Sequence, residues 1–137
     1  DVKAAAPAKS EKPVKAEASS GINDAFSASM AFDGNFGTLW AADKKEVPAW
    51  LQADFGRKVT IQSCEPFFDR VMGDYDYRIE YSGNGKTWDL YAEGNNAKTN
   101  EWPVQHTKKV KARYIRLTIL NQTQEPTRVG LWEMKIY

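Results

Sequence analysis

The segment of residues 31–40, AFDGNFGTLW, places a carboxylate among hydroxyl and main-chain oxygens on a stretch that can curl. Asp33 supplies a hard anionic oxygen, Gly34 and Gly37 can adopt positive φ angles, and Thr38 offers a hydroxyl and a carbonyl oxygen. Oxygen ligands on a curled loop suit calcium, which takes about six to eight of them, although the acidic spacing is not that of an EF-hand. The alternative is an Asx turn, in which Asp33 accepts hydrogen bonds from its own backbone.

Catalytic chemistry has little material in this chain. It contains one histidine, His106, and one cysteine, Cys64. Neither Cys64 nor any serine lies in an activating motif, and one His with one Cys leaves almost nothing for a zinc site. Paired carboxylates at glycosidase separation stay open at this point. We therefore expect a protein that is not an enzyme.

Length and charge narrow the class of protein. The 137 residues make one domain, and 19 basic against 18 acidic residues give a net charge of +1, which argues against a nucleic-acid-binding protein. No apolar run is long enough to span a membrane. Residues 1–14 are rich in Ala, Lys and Pro, which predicts an interdomain linker of a longer protein or a frayed terminus. Residues 15–137 would form the domain.

Hydrophobic alternation predicts β-strands throughout the domain. Apolar residues alternate with polar ones over WLQADF and again over YDYRIEY, and the second segment runs into a hairpin turn at Asn84-Gly85. The same alternation marks residues 114–119 and 132–137. Short strands separated by turn residues, with at most a short turn near residues 24–31, predict an antiparallel sandwich.

Five segments in order carry a resemblance to a known family. They are A-x-D-G-x-x-x-T-x-W (31–40), W-L-Q-A-D-F-G (50–56), Y-x-I-E-Y-S-x-N-G-K-T-W (77–88), A-R-Y-I-R-L (112–117) and W-E-M-K-I-Y (132–137). In this order and spacing the chain resembles the discoidin family, also called the coagulation factor 5/8 type C domain. It is most similar to the bacterial family 32 carbohydrate-binding modules. The resemblance implies an all-β, two-sheet antiparallel jelly-roll β-sandwich.

The resemblance also implies a structural calcium ion that joins the early loop to the last strand. Its ligands would be the carbonyls of Met30 and Asn35, the Asp33 carboxylate, the Thr38 hydroxyl and carbonyl, and the Glu133 carboxylate. For Glu133 the alternative is a solvated charge at a sheet edge.

Members of the family bind ligands with loops at one end of the sandwich. The corresponding loops here are 41–49, 66–75 and 121–129. A sugar site needs an aromatic platform and planar polar groups that fork to paired hydroxyls. The candidate sugar-binding residues are Phe68, Asp69, Arg70, Asn121, Arg128 and Trp40. Of Phe67 and Phe68, one could instead be core and the other a plug in the loop. Arg70 could instead form a salt bridge.

The aromatic residues are numerous, with five Trp, six Tyr and six Phe, so some must serve a role beyond the core. Trp50, Trp88 and Trp132 occupy positions that the family uses as framework, and we expect them in the core. Trp40 closes the calcium loop and either packs in the interior or stacks on a ligand. Trp102 matches no family motif and would be an exposed platform or a cover for an open sheet edge. The only histidine lies away from the loops, so the sugar cannot be named.

These inferences converge on a non-catalytic carbohydrate-binding module that tethers a secreted bacterial glycoside hydrolase to glycan. Its partners would be a mono- or oligosaccharide and the catalytic domain of the same chain, with no nucleic acid and no membrane span. It would act as a monomer in a secreted, periplasmic or cell-surface location. The alternatives are a structural spacer packed on a catalytic domain and a discoidin-type module that binds protein or lipid.

Overall fold

A computed structural model describes residues 10–69, 75–95, 101–122 and 127–137. Seven strands account for most of them: β1 (Lys15–Ala18), β2 (Trp40–Asp43), β3 (Ala49–Phe68), β4 (Tyr75–Ser82), β5 (Asp89–Asn95), β6 (His106–Gln122) and β7 (Arg128–Ile136). Three short 3₁₀ helices, Asp24–Phe26, Ala28–Ala31 and Lys44–Glu46, lie between the strands. Within the described ranges, no helix is long and apolar enough to cross a membrane.

The strands pair antiparallel in the order β2-β7-β3-β6-β4-β5, with β1 on β3. The long strand β3 belongs to both halves of the sandwich: residues Ala49–Cys64 pair with β6, and Cys64–Phe68 pair with β7. The alternation over WLQADF predicted a strand of residues 50–55. The strand instead continues, because Gly56 adopts a positive φ of 75° and the register with β6 shifts on either side of Val59 and Ile61. The predicted antiparallel β-sandwich is confirmed.

The core lies where the alternating residues of β3, β4, β6 and β7 face inward. Leu51, Ala53 and Phe55 are buried on β3, as are Tyr75, Tyr77 and Ile79 on β4. The hairpin predicted at Asn84-Gly85 joins β4 to β5, and Gly85 has the positive φ, 75°, that such a turn requires. Local alternation therefore located these strands and their buried faces correctly.

An aromatic stack covers part of the outer face of the β3–β6 pair. The Arg116 guanidinium lies 4.5 Å from the centroid of the Trp50 ring and 4.3 Å from that of Trp88. Its Nε and Nη2 atoms both donate to the side-chain oxygen of Gln52, at 3.0 and 2.7 Å. The expectation that Trp50, Trp88 and Trp132 lie in the core is wrong, because all three are only half-buried. Trp50 and Trp88 instead pack on the Arg116 guanidinium in cation–π contacts.

The β2–β7 contact depends on one glycine. A Cβ atom built on Gly130 would lie 2.1 Å from the main-chain oxygen of Trp40 and 3.0 Å from the Cα of Ala41. The two backbones can approach this closely only because residue 130 has no side chain. The contact holds β2, and with it the end of the preceding loop, against β7.

Candidate functional site

The loop after the second 3₁₀ helix folds around the side chain of Asp33. Its Oδ1 accepts a hydrogen bond from the Asn35 amide at 2.9 Å, and its Oδ2 accepts one from the Thr38 hydroxyl at 2.5 Å. The Asn35 side chain accepts in turn from the Gly37 amide at 2.7 Å, and Gly34 has a positive φ of 71°. The Asx turn considered from sequence is therefore present, and it gathers carboxylate, amide and hydroxyl oxygens in one loop.

Glu133 on β7 brings a second carboxyl group to this loop. Its side chain is 3% exposed, and Oε1 accepts a hydrogen bond from the Gly34 amide at 3.1 Å. Among the buried side-chain atoms of the described residues, only Glu133 Oε2 has no hydrogen-bond partner. A buried anionic oxygen without a partner is costly unless it is protonated or paired with a cation. The solvated edge charge considered for Glu133 is therefore wrong.

The ionisation of the two carboxyl groups reflects their unequal surroundings. Burial raises the pKa of Glu133 to about 7, and the nearby negative charge of Asp33 adds to this effect, while the hydrogen bond from the Gly34 amide opposes it. Burial also acts to raise the pKa of Asp33. The hydrogen bonds from Thr38 and Asn35 outweigh it, and the pKa of Asp33 lies below its ordinary value. The Asp33 carboxyl group is therefore ionised at neutral pH, whereas the Glu133 carboxyl group gains or loses its proton near pH 7.

The contacts of these residues indicate which kind of metal ion they could hold. Asp33, Asn35, Thr38 and Glu133 are joined to one another through hydrogen bonds within the loop and to β7, and every atom they offer is an oxygen. Met30 lies in the 3₁₀ helix that precedes the loop. The described residues contain no cluster of three or more His, Cys, Asp and Glu side chains suited to a metal. Two carboxylates with neutral oxygens, and one carboxylate oxygen without a partner, fit a hard cation such as calcium rather than zinc.

A cavity of about 510 Å³ opens beside these carboxyl groups. It is lined by Asp33, Glu133 and Lys135 and, on its other side, by Glu11 and Lys12 of the N-terminal segment. The Glu11 amide donates to the Ile136 carbonyl at 2.5 Å, which holds that segment along the end of β7. This part of the predicted linker therefore lies against the domain.

A different cluster of charges occupies the end of the sandwich where β2 ends and β7 begins. Arg128 donates from Nε to Asp69 Oδ2 at 2.9 Å and from Nη2 to Oδ1 at 3.4 Å. The Asp69 side chain is 6% exposed and that of Arg128 33%. The guanidinium also lies 5.6 Å from the centroid of the Phe26 ring. Two of the candidate sugar-binding residues thus form one fixed pair, with part of Arg128 open to solvent.

Two lysines of the loop 41–49, Lys44 and Lys45, lie next to this pair. Asp43, Lys44, Lys45 and Thr127 line a cavity of about 430 Å³. Asp43 is the register partner of Arg128, and the Lys44 amide donates to the Thr127 carbonyl at 3.1 Å. The sequence analysis indicated the loop 41–49 as a whole and identified no single residue in it as a ligand contact.

The remaining candidate sugar-binding residues are not gathered at that cavity. Phe68 is 1% exposed and stacks on Tyr75 with ring centroids 4.9 Å apart, so it belongs to the core. Trp40 is 0% exposed, and its indole nitrogen donates to the Ser20 carbonyl at 2.9 Å. Neither ring can serve as a sugar platform in this structure. Asn121 is exposed and lines a separate groove of about 470 Å³, and Arg70 lies outside the described residues.

The exposed aromatic rings lie elsewhere, on Phe36 and Trp102. They are 45% and 39% exposed, and Phe67 lies half-buried between them. The Trp102 indole nitrogen donates to the Phe68 carbonyl at 3.0 Å. Trp102 therefore covers a main-chain group of β3, as one of the two sequence expectations had it, and its ring remains partly exposed to solvent.

The fold and the oxygen-rich loop define a β-sandwich domain whose first loop is tied to its last strand. A family model for the F5/8 type C domain matches residues 15–134, so the chain belongs to this family. The resemblance stated from sequence is confirmed. No curated protein matches the chain.

Three solved structures place the chain among its structural neighbours. Chitosan-binding module 1 of a chitosanase/glucanase from Paenibacillus sp. IK-5 is 24% identical, with 93% of this chain and 96% of that chain covered and a TM-score of 0.81. A glycoside hydrolase is 26% identical over 99% of this chain and 33% of its own, with a TM-score of 0.81. The family 32 carbohydrate-binding module of AlyQ, in complex with 4,5-unsaturated mannuronic acid, is 21% identical over 95% and 98%, with a TM-score of 0.77.

Proposed function

We propose that this domain is a non-catalytic carbohydrate-binding module that tethers a secreted bacterial glycoside hydrolase to its glycan. The observation that carries the proposal is the charged cavity at the loop end, where the fixed Asp69–Arg128 pair adjoins the residues 43–45. Structural neighbours include a chitosan-binding module and a module in complex with a uronic acid. A further neighbour, a glycoside hydrolase, contains a region of this fold within a chain about three times as long.

The chemistry of the loop end suits the hydroxyl groups of a sugar. Arg128 uses two N–H groups on Asp69, and a guanidinium has five, so donors remain for paired hydroxyls. Next to Arg128, whose register partner is Asp43, the ammonium groups of Lys44 and Lys45 and the Asp43 carboxylate add donors and an acceptor around the adjoining cavity. A preformed set of polar groups orients a ligand without first having to be ordered.

Cys64 and His106, the side chains that could act as a nucleophile or a base, both have structural roles. This supports a binding rather than a catalytic function. Cys64 is buried, and burial raises the pKa of its thiol to about 12, so it carries no thiolate at neutral pH. The His106 ring nitrogen Nε2 is hydrogen bonded to the Tyr77 hydroxyl at 2.7 Å. Binding alone would raise the effective concentration of an attached catalytic domain at its glycan.

A calcium ion completes the proposal. The Asp33 and Glu133 carboxylates, the Asn35 and Met30 carbonyls and the oxygens of Thr38 would hold it. When bound, calcium would neutralise the two carboxylates and supply the partner that Glu133 Oε2 lacks. The chain's own contribution is to hold the loop against β7 through the Gly34–Glu133 hydrogen bond.

A glycan array on the isolated domain, with calcium present, tests the function. The hit would then be titrated by calorimetry against the double variant Lys44→Ala/Lys45→Ala. We expect at least a tenfold loss of affinity in that variant. Lys108→Ala/Lys109→Ala is the matched control, because this pair lies on exposed positions of β6, and it should bind like the wild type. No binding across a broad array would overturn the proposal in favour of a structural spacer.

A further inference from the structure

Three aromatic side chains from distant parts of the chain form one surface cluster, which we call the aromatic patch: Phe36, Phe67 and Trp102. The Phe67 centroid lies 4.9 Å from that of Phe36 and 5.1 Å from that of Trp102, both in edge-to-face geometry. The Phe36 and Trp102 centroids are 6.3 Å apart. Phe67 thus supports two rings that are each about 40% exposed.

The patch is fixed in place from several sides. Trp102 is anchored by its hydrogen bond to the Phe68 carbonyl, and nearby Gln105 donates to Glu65 of β3 at 2.6 Å. Phe67 is the register partner of Glu133. Phe36 belongs to the loop that folds around Asp33. Rings held this way lose little conformational entropy when they bind a ligand.

A cation lies at the edge of the patch. Lys135 Nζ is 5.6 Å from the Phe36 ring centroid. In the part of the chain that the structure describes, no carboxylate lies within ion-pair distance of this ammonium group. Exposed apolar rings beside an unpaired cation suit a ligand that has an apolar face and a negative charge.

We infer that the aromatic patch is a second glycan contact, which takes a uronate residue of a polysaccharide on its rings and pairs the sugar carboxylate with Lys135. The inference rests on the proposed function and adds a site separate from the Asp43–Lys45 cavity. A pyranose ring has a flat apolar face that stacks on aromatic rings. A uronate carries its carboxylate on the same ring, so one residue satisfies both features of the patch.

The size of the patch favours a sugar over a protein partner. The exposed parts of Phe36 and Trp102 amount to roughly 200 Å², since an aromatic side chain buries about 150–250 Å² in full. A stable protein interface needs about 800 Å² on each partner. The patch therefore suits one or two sugar residues better than a packed domain.

Proton–nitrogen NMR of the indole groups tests the inference, with trigalacturonate and trimannuronate as probes. Galactotriose and mannotriose are the neutral counterparts, and a Trp102→Phe sample assigns the Trp102 indole signal. We expect at least one uronate trimer to shift that signal, with at least tenfold weaker binding in Lys135→Gln. The neutral counterpart of that trimer should bind more weakly.

Phe36→Ala should also weaken the interaction, and thermal unfolding would confirm that each variant is folded. If neither uronate trimer moves the Trp102 signal, or if Lys135→Gln binds like the wild type, the inference is overturned. A glycan that depends on Lys44 and Lys45 while Trp102 stays unchanged would overturn the patch alone. A uronate that shifts Trp102 and binds equally to Lys44→Ala/Lys45→Ala would instead support the patch and contradict the cavity as the glycan site.

Discussion

Glu133 Oε1 accepts a hydrogen bond from the Gly34 amide at 3.1 Å, so the last strand of the domain is joined to the loop that folds around Asp33. The contact places the two carboxyl groups together and leaves Glu133 Oε2 buried without a partner. A fold that gathers two acidic groups in this way is stabilised by whatever neutralises them.

Calcium should raise the melting temperature of the wild-type domain, because an ion bound only by the folded state stabilises that state. Asp33→Asn and Glu133→Gln should each abolish most of this rise, since each removes one of the two anionic ligands. Differential scanning calorimetry with calcium or with a chelator measures the effect. Glu17→Gln, an exposed glutamate on β1, is the control and should retain the full calcium response. A calcium-induced rise that survives in both site variants would contradict the assignment.

The metal-free domain should lose stability as the pH rises from about 4.5 to about 7. The unfolded chain releases the Glu133 proton near 4.5, whereas the folded protein holds it until about 7, so the stabilising protonated form disappears across this window. Above pH 7 the loss is complete. Burial lowers the pKa of His106, so the unfolded chain binds this proton more tightly than the folded protein does. This contribution makes stability rise with pH just below the ordinary pKa of histidine.

The measurement for Glu133 is therefore a difference between wild type and Glu133→Gln. Urea unfolding at pH 5 and pH 7.5, in chelator, gives the four free energies of unfolding. The wild type should lose more stability than the variant between these two pH values. Excess calcium should offset this loss in the wild type, because calcium binds the ionised form of Glu133. If the wild type and Glu133→Gln lose the same stability between pH 5 and pH 7.5 in chelator, Glu133 does not exchange its proton in this range.

Gly130→Ala should destabilise the domain by about 3 kcal/mol. The added methyl group would lie 2.1 Å from the Trp40 main-chain oxygen, and backbone atoms on both strands would have to move. Gly34→Ala is a useful contrast, because a Cβ there meets nothing within 4 Å and only the positive φ of 71° opposes it. Urea unfolding of both variants measures which substitution lowers the free energy of unfolding more. A smaller loss at residue 130 than at residue 34 would be inconsistent with close β2–β7 packing.

Arg116→Lys should cost about 1 kcal/mol of stability even though the charge is kept. A lysine cannot stack a planar group between Trp50 and Trp88, nor can it make the two-atom contact with Gln52. Arg57→Lys, at an exposed position, serves as the control and should leave the free energy of unfolding within a few tenths of the wild type. Equal stability of Arg116→Lys and wild type would mean that the stack contributes nothing.

The strands and the oxygen-rich loop could be predicted because both depend on neighbours in sequence. Alternation along 75–81 identified the buried face of β4, and the spacing of Asp33 and Thr38 identified the loop before any contact was known. The ends of β3 were harder to predict. Its two halves share one strand only because Gly56 and the register shifts allow it to bend, and these are set by pairing with β6 and β7.

The sequence pattern alone could not decide which of Phe67 and Phe68 is buried in the core. The register of β3 with β7 shifts between these two residues, so alternation alone could not assign their faces. Phe68 entered the core, and Phe67 became the support for Phe36 and Trp102.

The sequence by itself determined the strand pattern, the family and the loop that supplies oxygen ligands, because short-range spacing encodes these features. Tertiary structure alone decided that Glu133 is buried beside Asp33, that Arg128 is paired with Asp69, and that Phe36, Phe67 and Trp102 meet. These contacts join residues from separate strands and loops. Their partners are selected by strand pairing and burial, which no local pattern in the chain specifies.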